Sequence, residues 1–428
     1  MEAQMIKKTY ERFHEDVYIL KLKNGMQVHI LPKDDPYFTT YVELSMPYGA
    51  LHLAYTYDGV QYETPAGTAH FLEHQTFAMP EGDAFTQFSM LGTDANAMTS
   101  YQQTSYLYIA TNHVFEALDH MLNMVDTPFF DEKRVAQEKN IIAEELKMYL
   151  DDPTSQMQNE LLEQLYHYHP LRYDIGGTLE SIQAITPDVL KQTYSHFYHP
   201  SNRLLVISGK VDVKALKAYF KAYDQKKPVK HSKPKLVLPK EPKSVYLKHS
   251  EKVLELSVDK LMIGIKLKPK RQTNDQRVQR DLSLSMLFNM VLGASSKTYS
   301  DLIDKGLINH SFYVSTNVEK SAENIMIYAE SKYIKRLKNL LIKLLTKELI
   351  NLVNEEDFIR YKKVYLGQFI FALNHLDTKA YLYGKYFHMQ GNLFEVVDRL
   401  MEITYEDIKS IIKEITPRQL SSIIYKKA

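Results

Sequence analysis

The sequence predicts an α+β fold of the α/β sandwich type, helices packed on sheets, built as two similar domains. Three observations predict it. At 428 residues the chain exceeds what a single core usually serves. Runs of alternating apolar and polar residues, the pattern of half-buried strands, are interspersed with runs of helical period. A capped helix leading into an apolar strand also occurs twice. Ile185-Thr186-Pro187-Asp188 leads to Arg203–Ile207, and Ile403-Thr404-Tyr405-Glu406 leads to Leu420–Ile424, with helix starts 218 residues apart, about half the chain. The expected domains are 1–223 and 244–428, joined by a Lys- and Pro-rich linker over 224–243 that contains Lys226-Lys227-Pro228-Val229-Lys230.

The elements follow in order. Val17–Leu22 and Met26–Leu31 alternate around Asn24-Gly25, a hairpin signal. Thr39–Met46 reads as a strand. Thr64 and Pro65 suit the cap and first position of a helix. A second helical run covers Asp83–Leu91, and Gly92–Ser100 turns into an extended segment. Thr104–Ala110 reads as a strand and Phe115–Val125 as a helix. Asp131–Leu150 is a long amphipathic helix capped by Asp131. Helical signal returns at Gln156–Tyr166 and Thr186–Phe197, and Arg203–Ser208 has the composition of a buried strand.

Composition narrows the function. The net charge is +1, which gives no general case for nucleic acid or an anionic membrane. Met1–Ile30 is too broken by charges for a signal peptide or a membrane span, and the expected compartment is the cytoplasm. The sequence has no cysteine, so a metal site here must rest on His, Asp and Glu.

Such a site is suggested at His70-Phe71-Leu72-Glu73-His74. The two histidines stand four apart on one helix face, and Glu73 lies close to the same face. Two imidazoles and a carboxylate are parts of a catalytic zinc site, and the order His-x-x-Glu-His is that of the inverzincins. The third ligand is expected on the long helix. Val135, Ile142, Leu146 and Tyr149 form its apolar stripe, with Glu138 and Glu145 on or beside that stripe and Glu144 turned about 100° from Glu145 towards solvent. Buried carboxylates need a partner or a metal. The bland alternative pairs these acids with lysines such as Lys139. The metal reading makes Glu145 the third ligand and Glu138 a residue orienting a ligand by hydrogen bond. Zinc on His70, His74 and Glu145 then keeps a position open for water, Glu73 acts as general base, and the product is peptide-bond hydrolysis without a covalent intermediate. His167, His169, His196 and His199 read as loop, packing or helix-end residues.

With these residues the chain resembles the pitrilysin and mitochondrial-processing-peptidase family of zinc peptidases. The resemblance spans nearly the whole chain. It rests on Gly67–His74, Asn96-Ala97-Met98-Thr99-Ser100, the spacing of Glu138 and Glu145, His169-Pro170-Leu171 with Gly177-Thr178, and Phe197–Asn202. It implies Zn2+ as cofactor and Glu73 and Glu138 as catalytic-site carboxylates. It also implies two similar domains, each a mainly antiparallel sheet covered by helices, forming half of a clam-shell chamber closed by a second subunit. Asn96, Ala97, Met98 and Thr99 would lie beside an extended peptide substrate, although on its residues alone Asn96 reads as a turn residue.

One departure stands out. Family members that bind substrate through their second domain carry an Arg followed by Gly-Leu-x-Tyr. Here Ile303 stands in the place of the Arg, and no Tyr follows Gly306-Leu307 at the usual position. The chain therefore resembles the metal-bearing subunit of paired bacterial peptidases. The expected partner is a homologous subunit supplying the Arg and Tyr, with a homodimer as the other option. The expected function is a zinc endopeptidase for short or unfolded peptides, in peptide maturation or turnover. A non-catalytic scaffold subunit and a metal-binding non-peptidase are the alternatives.

Overall fold

Two main sheets carry the chain. The strands read from the sequence near 17–22, 26–31, 39–46, 104–110 and 203–208 all lie in the first, joined by Ile6–Tyr10, which was not read, and by the extended segment within 92–100. In the computed structural model, residues 5–34, 36–224, 231–270 and 272–428 are described. The first sheet contains β1 (Ile6–Tyr10), β2 (Glu15–Lys21), β3 (Gln27–Pro32), β4 (Thr40–Met46), β5 (Asp94–Thr99), β6 (Thr104–Ala110) and β7 (Leu204–Gly209), in the order β1-β2-β3-β7-β4-β6-β5. The second contains β8 (His249–Leu254), β9 (Lys260–Leu267), β10 (Tyr313–Val318), β11 (Glu323–Glu330) and β12 (Leu420–Lys427), in the order β8-β12-β9-β11-β10. In the first sheet only the β3–β7 pairing is parallel, and in the second only β8–β12.

The two orders are one topology repeated. β3-β7-β4-β6-β5 and β8-β12-β9-β11-β10 match strand for strand, including the single parallel pair. The echo read from sequence sits at the matching place. Thr186 and Thr404 cap the helices Pro187–Phe197 and Tyr405–Ile412, which precede β7 and β12. Two similar, mainly antiparallel sheets covered by helices are thus the architecture.

Each sheet buries one apolar face. Val42, Leu44 and Met46 of β4 pack in a core with Leu118, Met121, Leu122 and Val125 of the helix Val114–Asp126. Leu261, Ile263 and Ile265 of β9 do the same with Leu284, Leu287 and Phe288 of the helix Asn274–Leu292.

The chain divides into two compact units: Met1–Tyr149, Tyr173–Leu238 and Ala372–Phe394 in one, and Leu150–Arg172, Pro239–Phe371 and Glu395–Ala428 in the other. Within the Lys/Pro-rich stretch, residues 225–230, and so the run Lys226–Lys230, lie outside the described residues. Lys235–Leu236 pairs with the strand Ala54–Tyr57 of the first unit. In the second unit, Glu241 accepts the amides of His167, Tyr168 and His169 at 2.8–2.9 Å and the Lys266 ammonium at 2.5 Å.

Four helices recur below. They are α1 (Thr68–Thr76), α2 (Glu132–Asp151), α3 (Pro153–Leu165) and, from the second half, α4 (Leu376–His388). α3 packs on β9 and β12 of the second unit, and α4 on β4 and β7 of the first. The α4 contact is polar. Tyr383 meets His29 Nδ1 at 2.7 Å, His388 meets Ser45 Oγ at 2.9 Å, and buried Lys379 donates to Glu15 at 3.2 Å.

Glu43, fully buried on this face, accepts from Gln103 Nε2 at 3.3 Å. Burial pushes its pKa from 4.5 up to about 7, against hydrogen bonds from Ser105 and Tyr41. The folded value lies above the unfolded one, so the fold prefers the neutral acid. Stability therefore falls as pH rises through the window from 4.5 to about 7 and stays lowered above it. Glu43→Gln is expected to be more favourable at pH 8 than at pH 4, by on the order of 3 kcal/mol. Urea unfolding of both proteins at the two pH values checks this, and equal differences would refute it.

Candidate metal centre

The local sequence builds α1 differently from the expected cap. Thr64 spends its amide on Leu53 O and its hydroxyl on His52 O, so it does not cap the helix. The helix begins instead at Thr68, after Gly67 with φ 86°. A side chain at Gly67 would come within 2.4 Å of Gly176 O, and one at Gly177 (φ 83°) within 2.5 Å of Ala66 O. Two glycines in left-handed backbone thus let the turn before α1 abut the loop at 176–177. Ala69, Phe71 and Leu72 enter the core, which leaves His70, Glu73 and His74 to share another face.

α2 follows its predicted phase, with one correction. Asp131 caps it, accepting from the amides of Lys133 and Arg134 at 3.0 and 3.2 Å. Val135, Ile142 and Leu146 are buried, but Tyr149, read as the fourth core position, is 45% exposed because the helix end lies beyond the core. Glu144 points to solvent and pairs with Lys147 at 2.7 Å. Lys139 donates to Gln183 O at 2.8 Å.

The two helices bring the candidate ligands together. Glu145 lies 3.8 Å from His70 Nε2 through one oxygen and 3.5 Å from His74 Nε2 through the other. One donor atom from each of the three side chains falls within 4.8 Å of the others. His74 Nδ1 is hydrogen-bonded to Glu138 at 2.9 Å, which turns Nε2 towards Glu145. This donor set fits a zinc ion: two imidazoles, one carboxylate and room for a further ligand.

Electrostatics separate the two histidines. Burial, reinforced by His74 nearby, pushes His70 down to about 4, so its imidazole is neutral and available as a ligand. Burial would lower His74 too, but the hydrogen bond and charge of Glu138 raise it overall. Burial raises Glu73, opposed by a hydrogen bond from Thr99 and by the nearby His74.

Glu73 and His74 open onto a groove of about 440 Å³ that also meets Phe77, Phe85, Asn96, Ala97, Arg134, Glu138 and Ile141. Asn96 and Ala97 come from β5, the edge strand of its sheet. The Asn96 side chain accepts the amide of Ala97 at 2.8 Å. Met98 is 39% exposed and is not among the lining residues. Sequence reasoning missed the Phe77–Phe85 stack, with ring centroids 4.2 Å apart at 3°, and the Ile141 wall. Helical spacing held the signal, because Phe77 follows His74 by three and Ile141 lies three after Glu138 and four before Glu145. The other histidines are elsewhere: buried His169 meets Ser321 at 3.0 Å, and buried His196 meets Tyr55 OH at 3.0 Å.

The second half has no such set at the matching positions. Its counterpart of α2, the helix Glu355–Ala372, starts 223 residues later (132 and 355), as α4 does relative to α3 (153 and 376). Glu138 and Glu145 thereby correspond to Tyr361 and Gln368, neither a carboxylate.

Residues 57–179 match the insulinase family (peptidase family M16), and residues 184–365 match the peptidase M16 inactive domain. A Bacillus subtilis (strain 168) protein named as the uncharacterized zinc protease YmfH is 34% identical over 410 residues, 95% of this chain and 95% of that protein. The M16-like peptidase of Alicyclobacillus acidocaldarius superposes with a TM-score of 0.88 at 25% identity, over the whole of both chains. Pitrilysin superposes with a TM-score of 0.70 at 16% identity, over all of this chain and 46% of that one. No helix among the described residues is long and apolar enough to cross a membrane.

Proposed function

The chain belongs to the insulinase family of peptidases (M16), and from that premise we propose that it is a zinc-dependent endopeptidase of short or unfolded peptides. The observation that carries this reading is the convergence of His70, His74 and Glu145 donor atoms within 4.8 Å, with a buried Glu73 beside them. His70, His74 and Glu145 would hold the ion, and Glu138 fixes the orientation of His74 through Nδ1. When bound, zinc supplies the Lewis acidity that activates water and polarises the scissile carbonyl. Glu73 takes the proton of the attacking water and returns it to the leaving amine. The free edge of β5 pairs with the backbone of an extended peptide, which favours unfolded substrates. Phe77, Phe85 and Ile141 give one substrate side chain an apolar wall that excludes water.

A homologous partner subunit completes substrate capture in this proposal. The position where relatives carry an Arg holds Ile303, which packs against the second core instead of offering charge. Asn309, shortly after Gly306-Leu307, spends its amide on Glu330 Oε2 at 3.0 Å. The partner lacks the metal motif and carries the Arg and Tyr. Zinc content and cleavage of a quenched peptide library, with the chain alone and mixed with such a partner, test the reading. Stoichiometric zinc and cleavage that rises on mixing are expected. Equal rates alone and mixed would remove the partner, and zinc without turnover in either sample would remove the peptidase.

A further inference from the structure

Thr99 is the last residue of β5, and its hydroxyl donates to Glu73 Oε2. We propose that Thr99 is a positioning residue for Glu73: it holds Oε2 so that Oε1 accepts the proton, and so ties the base to the strand that receives the peptide. The inference rests on the reading of Glu73 as general base.

Strand geometry separates this role from substrate contact. Side chains alternate across a strand, so Asn96 and Met98 share one face while Ala97 and Thr99 share the other. The Thr99 face is the one that reaches Glu73 of α1. A peptide added at the free edge of β5 would meet its backbone groups and not the Thr99 hydroxyl.

The anchor is also stiff. Thr99 pairs with Thr104 of β6, and the Thr104 hydroxyl is held by Tyr48 O at 2.9 Å. The turn that follows is closed by Ser100 N to Gln103 O at 2.8 Å, and its Ser100 carbonyl accepts Ala50 N at 3.0 Å. A β-branched threonine adds a restricted χ1 to that fixed backbone. Glu73, by contrast, reaches its carboxylate through three side-chain torsions in a site where only 8% of the residue is exposed. A donor at a fixed point selects one carboxylate orientation, and a base misplaced by an ångström loses much of its rate.

The test compares Thr99→Val, which keeps the shape and removes the hydroxyl, with Thr99→Ser, which keeps the hydroxyl. Both are measured for kcat, KM and zinc content on one quenched peptide, with the partner present if wild type needs it. For Thr99→Val we expect kcat to fall on the order of 10- to 100-fold, as for loss of a hydrogen bond to a charged group, with KM and zinc unchanged. Thr99→Ser should recover most of that loss. An unchanged kcat, a rise in KM alone, loss of zinc, or equal defects in the two variants would each overturn the proposal. If Glu73→Gln were fully active, the base assignment itself would fall. If Glu73→Gln were inactive and Thr99→Val fully active, only the present inference would fall.

Discussion

Glu73→Gln is expected to lower kcat for peptide hydrolysis by roughly 10²- to 10⁴-fold, the usual contribution of a positioned acid–base group, while the protein keeps its full zinc content. The substitution is nearly isosteric. An amide oxygen at the Oε2 position can still accept from Thr99, so the local fold loses only the charge and the proton-accepting oxygen. Burial makes that charge costly in the wild type, and the Thr99 hydrogen bond and the nearby His74 oppose the cost. A carboxylate retained in so unfavourable a place is a candidate for chemistry, because stability alone would have favoured the amide. His70, His74 and Glu145 are untouched, so the metal should remain. Cleavage of a quenched peptide with parallel zinc analysis reads both quantities. Activity equal to wild type would end the base assignment. Loss of zinc together with activity would move Glu73 into the ligand set. A wild type that holds zinc but cleaves nothing, with or without a partner, would favour a binding or scaffold role.

How much of this was legible beforehand depends on the distance over which each contact runs. His70, Glu73 and His74 lie within one helical turn and a half, where spacing alone decides which side chains meet. Glu145 was separable from Glu144 because a 100° step per residue turns one inward and the other to Lys147. Glu138 was read as orienting some ligand, and the structure gives it a definite partner in His74 Nδ1. Contacts between elements were not legible. The Thr99–Glu73 bond joins residues 26 apart through a strand and a helix whose packing no local pattern specifies.

The start of α1 shows the same limit from another side. Thr64-Pro65 has the composition of a cap, yet tertiary hydrogen bonds to the loop at 52–53 claim Thr64 first, and the helix waits for Gly67. The helical signal at Gln156–Tyr166 likewise marked the helix that the structure places at Pro153–Leu165. It could not show that this helix covers β9 and β12, while residues 376–388 cover β4 and β7. The polar contacts of α4, Lys379 with Glu15 and His29 with Tyr383, join residues more than 350 apart, and their types look like surface residues in sequence. The repeated topology explains why a weak echo of capped helix and strand was nonetheless informative. It marked the closing strands β7 and β12, which occupy the same place in each sheet.

Glu145→Gln is expected to remove stoichiometric zinc and, with it, detectable peptidase activity. Its two oxygens are 3.8 and 3.5 Å from the Nε2 atoms of His70 and His74, and it is the carboxylate of the candidate donor set. An amide keeps the volume but surrenders the negative charge that offsets the ion, so a site of two imidazoles and no carboxylate ligand remains. The loss should exceed the roughly 10- to 100-fold that removing a ligand's hydrogen-bond partner costs. Glu138→Gln, which alters only the partner of His74 Nδ1, is therefore expected to bind zinc more weakly than wild type but more tightly than Glu145→Gln. Glu144→Gln is the control, since its side chain is 74% exposed and engages Lys147. Zinc titration against a competing chelator ranks the four proteins, and circular dichroism confirms that each is folded. Wild-type affinity in Glu145→Gln, or an equal loss in Glu144→Gln, would break the assignment. The order wild type, Glu144→Gln, Glu138→Gln, Glu145→Gln would tie affinity to the helix phase that places each carboxylate, because the three glutamates differ chiefly in the direction in which α2 presents them.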